Sequence, residues 1–420
     1  MRANISIWIF VVVSRAAQPQ TASDPRARFE QTKHKVEHGE FGKAAEELEQ
    51  LIQIAPNAPL LHNLLGYCRL QQGDRARAIP EFQRAIALKP DFRSAHKNLG
   101  GAYVLDGKVS NAADEFAAVL RIDPEDGEVR KTVFDLARAA FQKQDYADTI
   151  KLLGLLQPGN SAAYHEMLGY SSFKKGDVVR AVNEIQKAMD LDSHNEDYVL
   201  ELSEVFVTNN NGAAAVTLLL SAAQVFPNSA RLWFALGVAH LVDENRPFAE
   251  TALRKSLTLD PKLDLALVVL GQGYKETGQW NELLDTANRL IRANGHNPAG
   301  YYYRALALLE SPSRDEPQIE SLLKKSVSLA PEEPGPYYEW AKLLAKKGEK
   351  DEALRELERL TKVSPDFGPA YYQLFRLYRE KGDLAKSKEA REAHDRIQAQ
   401  EREQLARKLL LEVRQRNGGS

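Results

Sequence analysis

The stretch His34-Lys35-Val36-Glu37-His38 is the one place in the chain where residue types and spacing suggest chemistry outright. H-x-x-E-H sets two imidazoles on one helical face beside a carboxylate, a pattern that holds catalytic zinc. Such a centre also needs a third ligand and a substrate cleft. The sequence supplies neither near this stretch, which stands just before Gly39, so it reads as the polar end of a helix. No G-x-S-x-G occurs, and no glycine-rich loop follows a strand pattern. Nucleophile, base and orienting group cannot be assembled from any set of residues. The other histidines lie singly. The lone Cys68 excludes an internal disulfide framework and a cysteine-rich zinc site. The residues therefore predict no enzyme, no cofactor and no metal.

Composition agrees with a folded, interacting protein rather than a nucleic-acid or membrane binder. Of 420 residues, 43% are hydrophobic, and the formal net charge is only −2. No strong field attracts polyanions. The opening "MRANISIWIFVVVSRAAQPQ" has Arg2, then an apolar run from Ile5 to Val13, then small residues. That is the order of a secretory signal peptide, with Ser14 and Ala16 placed for cleavage before Ala17. The run is too short to span a bilayer stably. The expected division is a signal peptide over 1–16 and a linker over 17–24, with the mature chain periplasmic or extracellular. An uncleaved anchor, or a cytoplasmic protein with a wrongly assigned start, is the alternative.

What must position any functional residue is a repeating element. "LGYCRLQQGDRARAIPEFQRAIALKP", from Leu65, returns in register as "LGGAYVLDGKVSNAADEFAAVLRIDP", from Leu99. Pro56, Pro90 and Pro124 keep the same spacing, as do Pro227 with Pro261 and Pro331 with Pro365. A small residue recurs as Gly66, Gly100, Ala137, Gly169, Ser203, Gly237, Gly271, Ala307 and Ala341, mostly after Leu. Glycine recurs later as Gly39, Gly73, Gly107, Gly176, Gly278, Gly348 and Gly382. Alanine recurs as Ala44, Ala78, Ala112, Ala181, Ala215, Ala249 and Ala353.

Each marker has a physical reason. A small residue on a first helix lets a second helix cross closely, and the recurring Ala should receive that contact. Glycine after the first helix supplies the left-handed residue that ends it. Proline past the second helix stops it. Everything else need only be apolar inward and polar outward.

The pattern resembles the tetratricopeptide repeat, a helix–turn–helix with Leu-Gly, Tyr, Ala, Phe and Pro at fixed offsets. Tyr103, Tyr274 and Tyr378 fill its Tyr slot, and Phe82 and Phe116 its Phe slot. The match runs over residues 25–399, about eleven units. It departs from the pattern near Arg130, at the turn "ESPSRDEP", and at Phe375, which stands in the small slot. The resemblance implies an all-α, right-handed superhelical solenoid. A long polar helix over 383–416 should cap it, ahead of a flexible tail over 417–420. Leu405, Leu409 and Val413 form a short stripe on that helix, which either folds back on the last repeat or docks a partner or second copy.

The resemblance also places first-helix positions on an inner face. The middle units put Phe134, Phe141, Tyr170, Phe173, Leu200, Val207, Phe234, Val238, Leu241 and Val268 there. Later units put Lys275, Arg304, Tyr338, Lys342, Tyr372, Arg376 and Arg379 there. A shift of one residue in the facing would make the same side chains core. The Lys and Asn set that some members use to hold a peptide carboxylate is missing: the relevant slots carry Tyr67, Gly101 and Arg138. The expectation is a non-catalytic scaffold that binds a protein or peptide, with no nucleic acid. The bound segment would be apolar in its middle and acidic towards the C-terminal units. The alternative is an accessory subunit of an envelope polysaccharide synthesis or export system.

Overall fold

The computed structural model describes residues 24–312 and 314–417, and over 408–417 the backbone alone. The export segment and the tail after Asn417 lie outside the described residues. Among those described there are α-helices and no strand. They divide into two compact units, the first ending at Asn209.

The first unit holds five helix pairs and a further helix. α1 (Pro25–Glu37) pairs with α2 (Phe41–Ile54), and α3 (Pro59–Gln71) with α4 (Arg75–Leu88). α5 (Arg93–Leu105) pairs with α6 (Val109–Ile122), and α7 (Gly127–Gln142) with α8 (Tyr146–Leu153). α9 (Ala162–Lys174) pairs with α10 (Val178–Leu191), and α11 (Glu196–Thr208) closes the unit. The second unit opens with α12 (Gly212–Val225). α13 (Ala230–Val242) then pairs with α14 (Arg246–Leu259), and α15 (Asp264–Thr277) with α16 (Trp280–Ala293). α17 (Pro298–Leu309) pairs with α18 (Glu316–Leu329), and α19 (Pro334–Lys347) with α20 (Lys350–Val363). α21 (Gly368–Glu380) pairs with α22 (Leu384–Asn417). The chain is an all-α helical repeat solenoid.

The turns follow the glycine marker. All seven recurring glycines have positive φ, from 68° at Gly278 to 86° at Gly176 and Gly348. Where the sequence lacks Gly, Gln144, Asn210 and Glu244 adopt the same conformation, at φ 61°, 56° and 57°. Side-chain caps open many second helices: Asp74 accepts from the Arg77 N–H and Asp177 from the Arg180 N–H. The departure near Arg130 is physical. α8 has only 8 residues against the 14 of most second helices.

The small-residue marker is a close contact in which the recurring Ala takes part through its backbone, the Ala78 carbonyl lying 3.1 Å from a Cβ on Gly66, while a larger side chain comes closer still. A Cβ on Gly66 would lie 2.7 Å from the ring of Phe82, and one on Gly100 2.7 Å from Phe116. On Gly169 it would meet Ile185 at 2.7 Å, and on Gly237 Leu253 at 2.6 Å. Each of these side chains stands four residues beyond the recurring Ala. The alanines themselves are buried, 0% exposed at Ala78, Ala112 and Ala181. Gly271 is the exception, because the ring of Tyr303 from the following first helix fills its slot.

Histidines that look scattered in the sequence share one register. His62 Nδ1 lies 2.7 Å from Glu81, His96 2.7 Å from Glu115, and His165 2.6 Å from Glu184. Each pair spans 19 residues and ties a first helix to its second. Burial alone would raise the Glu184 carboxyl, but hydrogen bonds from His165 and Lys187 hold it below its ordinary value.

α22 packs on α21 through its first half, where Ser387, Ala390, Ala393 and Ile397 are buried. Phe375 packs against the core that Ala390 joins, with the Arg391 guanidinium 5.9 Å from its ring. Ser387 donates to the Phe375 carbonyl at 3.1 Å. Residues 401–407 are all exposed. Leu405 is among them, while the side chains of Leu409 and Val413 lie outside those described.

Candidate functional site

The candidate zinc stretch ends α1 as a pair of stacked imidazoles. The rings of His34 and His38 lie 3.9 Å apart, and His38 Nδ1 meets the His34 carbonyl at 2.8 Å. Among the described residues, no group of three His, Cys, Asp or Glu is placed to hold a metal. The Cys68 thiol is buried, and burial pushes it up to about 12, so it carries no thiolate at neutral pH.

In the first unit the predicted aromatics form a cluster. Phe141 on α7 meets Tyr170 on α9 edge to face at 6.0 Å, and Tyr170 meets Phe173 at 6.1 Å. Tyr146, which belongs to a second helix, completes the set at 6.3 Å from Phe141 and 6.2 Å from Tyr170. The Lys174 ammonium stands 4.7 Å from the centroids of both Tyr170 and Phe173. It also pairs with Glu204 on α11 at 2.7 Å. Phe134 sits apart, with the Arg138 guanidinium over its ring at 5.3 Å. These side chains are half-buried, and Phe134 and Phe141 pack against the core of the unit. The site is thus a set of ring edges and one cation, not an open apolar groove.

Beside this cluster lies a carboxyl that the sequence did not single out. Glu201 Oε2 is buried with no hydrogen-bond partner. Burial, and then Glu166, Asp197 and Glu204, push the Glu201 carboxyl up to about 8. It is protonated at neutral pH. The repeat period places Glu201 in the slot that Met167 fills one unit earlier, a charged residue where the preceding unit is apolar.

In the second unit, one slot two residues before the Leu or Trp marker carries Phe234, Val268, Arg304, Tyr338 and Tyr372 in successive first helices. Phe234 and Val268 pack against the unit's core. Tyr338 meets Phe367 at 5.5 Å, accepts from Gln373 at 3.4 Å, and has the Lys342 ammonium 5.1 Å from its ring. Lys342 also pairs with Glu339 at 2.8 Å. Tyr372 is 45% exposed and lies 5.6 Å from His394. Arg376 and Arg379 are exposed, and Lys350, then the charge of Arg376, hold the Glu380 carboxyl below its ordinary value. Lys275 instead stands over the Tyr302 ring at 5.8 Å. A cleft of about 250 Å³ opens between α14 and α15, walled by Leu241, Leu253 and Val269 and floored by Gly273.

A sequence model of the tetratricopeptide repeat matches at residues 29–91, 69–127 and 200–264. No curated protein sequence matches the chain. Among solved structures, yeast Tom70 aligns over 90% of this chain and 96% of its own, with 15% identity and a TM-score of 0.39. Naa15/Naa10 bound to HypK-THB aligns over 86% and 67%, with 13% identity and a TM-score of 0.45. The P58(IPK) TPR domain aligns over 89% and 99%, with 15% identity and a TM-score of 0.33. Among the described residues, no helix is long and apolar enough to cross a membrane. The matched segments carry tetratricopeptide repeats, and the glycine, alanine and proline markers stay in register beyond them, which makes the chain similar to tetratricopeptide-repeat protein-interaction scaffolds.

Proposed function

We propose that this protein is an exported, non-catalytic scaffold whose first-helix faces hold a segment of another protein. The observation that carries the reading is the cluster of Phe141, Tyr146, Tyr170 and Phe173 with Lys174 over two of its rings. Tyrosine and phenylalanine edges beside a cation offer apolar area and polar contacts together, which is the composition of interface hot spots. A cation–π arrangement on a half-exposed face contributes little to folding, which leaves it available for recognition.

Export is supported by the order of Arg2, apolar run and small residues in the sequence. The deciding experiment is affinity capture from an envelope fraction with the mature chain, its Phe173→Ala variant and its Tyr170→Ala variant as baits. The reading requires a protein that the parent retains and both variants lose while remaining folded. Retention of the same protein by both variants would move the binding site elsewhere. Intact mass of the chain expressed in a bacterium should correspond to a start near Ala17. A full-length, wholly cytosolic product contradicts export.

A further inference from the structure

The slot that carries Phe234, Val268, Arg304, Tyr338 and Tyr372 has a single charged member. Arg304 is half-buried on α17, and its Nε is enclosed without a hydrogen-bond partner. No carboxylate lies within ion-pair distance of its guanidinium among the described residues. Elsewhere in the unit even exposed cations are engaged: Lys347 pairs with Glu320 at 2.8 Å, and Lys342 with Glu339. A guanidinium withdrawn from water without a partner is costly, and the cost is removed when a carboxylate takes it in a forked pair. The nearest members of the row on its C-terminal side are tyrosines, and the next turns carry the exposed Arg376 and Arg379, Arg376 acting on Glu380 by charge alone. The surface is therefore aromatic with an excess of cations, and its acidic neighbours Glu339 and Glu380 are already paired with Lys342 and Lys350.

We infer that Arg304 seats a carboxylate side chain of an extended acidic segment, with Tyr338 and Tyr372 stacking on its neighbours and Arg376 and Arg379 pairing further acidic residues. This rests on the reading of the first-helix face as the docking surface. It goes further in naming the residue that selects the partner and the chemistry it selects. The slot itself explains why the site is specific. Its other members are apolar or aromatic and tolerate many side chains, while an unpaired guanidinium rejects a segment that brings no acceptor.

The test uses the full chain and a display library of random peptides. Peptides selected on the parent should be enriched in Asp and Glu next to aromatic or branched residues. Their affinity should fall at least about tenfold on Arg304→Met, and fall as salt rises. Arg304→Met should at the same time melt no earlier than the parent, because it removes an unpaired, partly desolvated charge. A structural Arg304 predicts the opposite, an earlier melt. Selected peptides without acidic enrichment, or with unchanged affinity on Arg304→Met, overturn the carboxylate seat. If those same peptides lose affinity on Tyr372→Ala, the docking face stands and only the seat fails. If no peptide is selected, or Tyr372→Ala is also without effect, the docking face fails with it.

Discussion

Gly66 on α3 lies so close to Phe82 on α4 that a single added carbon would stand 2.7 Å from the ring. Phe82 is wholly buried, and the same relationship recurs at Gly100 with Phe116. The helix pair is therefore defined by a missing side chain on one helix and a large one on the other. Filling that gap must separate the axes.

Gly237→Val puts branched carbons against Leu253, where a Cβ alone would already lie 2.6 Å from its side chain. The expected loss is about 2–3 kcal/mol by overpacking. Gly273 serves as the control, since a Cβ there meets nothing within 4 Å. Gly273→Ala should be neutral or stabilise by up to about 1 kcal/mol through helix propensity. Urea midpoints of the two variants check both. A Gly237→Val midpoint equal to the parent's would mean that the marker is not a close contact.

Among the described residues, three turns hold a residue with a side chain in the left-handed conformation, Glu244 at φ 57° being one of them. Glu244→Gly relieves that strain and should stabilise the chain by roughly 0.5–1 kcal/mol. Gly176→Ala, at φ 86°, should lose about 1 kcal/mol. Thermal unfolding distinguishes the two signs.

Glu201 gives a pH dependence with a definite sign. Burial raises its carboxyl from 4.5 to about 8 in the folded chain. Between those limits the unfolded chain has released the proton and the folded chain has kept it. The folded state binds more protons, so this group's contribution to stability falls as pH rises from 4.5 to about 8. Glu201→Gln removes the effect. The variant should match the parent in acid and exceed it at pH 8 by on the order of 2–4 kcal/mol. Denaturant titrations at both ends of that range decide it, and a constant difference across pH would contradict the assignment.

Phe173 and Phe82 separate surface from core. Phe82 is 0% exposed, and Phe82→Ala should cost about 3–5 kcal/mol. Phe173 is half-buried and faces Tyr170 and Lys174, so Phe173→Ala should cost no more than about 1–2 kcal/mol. Equal losses in calorimetry would place Phe173 in the core and withdraw it from the docking surface.

Much of the fold was legible because the markers report local events. A glycine in a left-handed turn or a small residue under a crossing helix constrains its own position, and both kept register through the sequence. What escaped reading depends on neighbours. Gln144, Asn210 and Glu244 take the glycine conformation without glycine, because the flanking helices dictate it. Tyr303 fills the Gly271 slot from the next first helix, and no pattern within one repeat predicts that. The histidine pairs with Glu81, Glu115 and Glu184 were visible only as a 19-residue interval that joins two helices. The proposed docking face was legible as a set of positions, but its depth was not. Phe141 and Phe234 pack against cores at one edge, and Tyr146 enters the cluster from a second helix.

The central claim is that partners bind on the first-helix faces. Hydrogen–deuterium exchange of the chain with and without a captured partner tests it most directly. New protection is expected in α7 and α9 and in α17, α19 and α21, with α10, α14 and α20 unchanged. Protection confined to second helices, or to the part of α22 beyond Gln400, would contradict it.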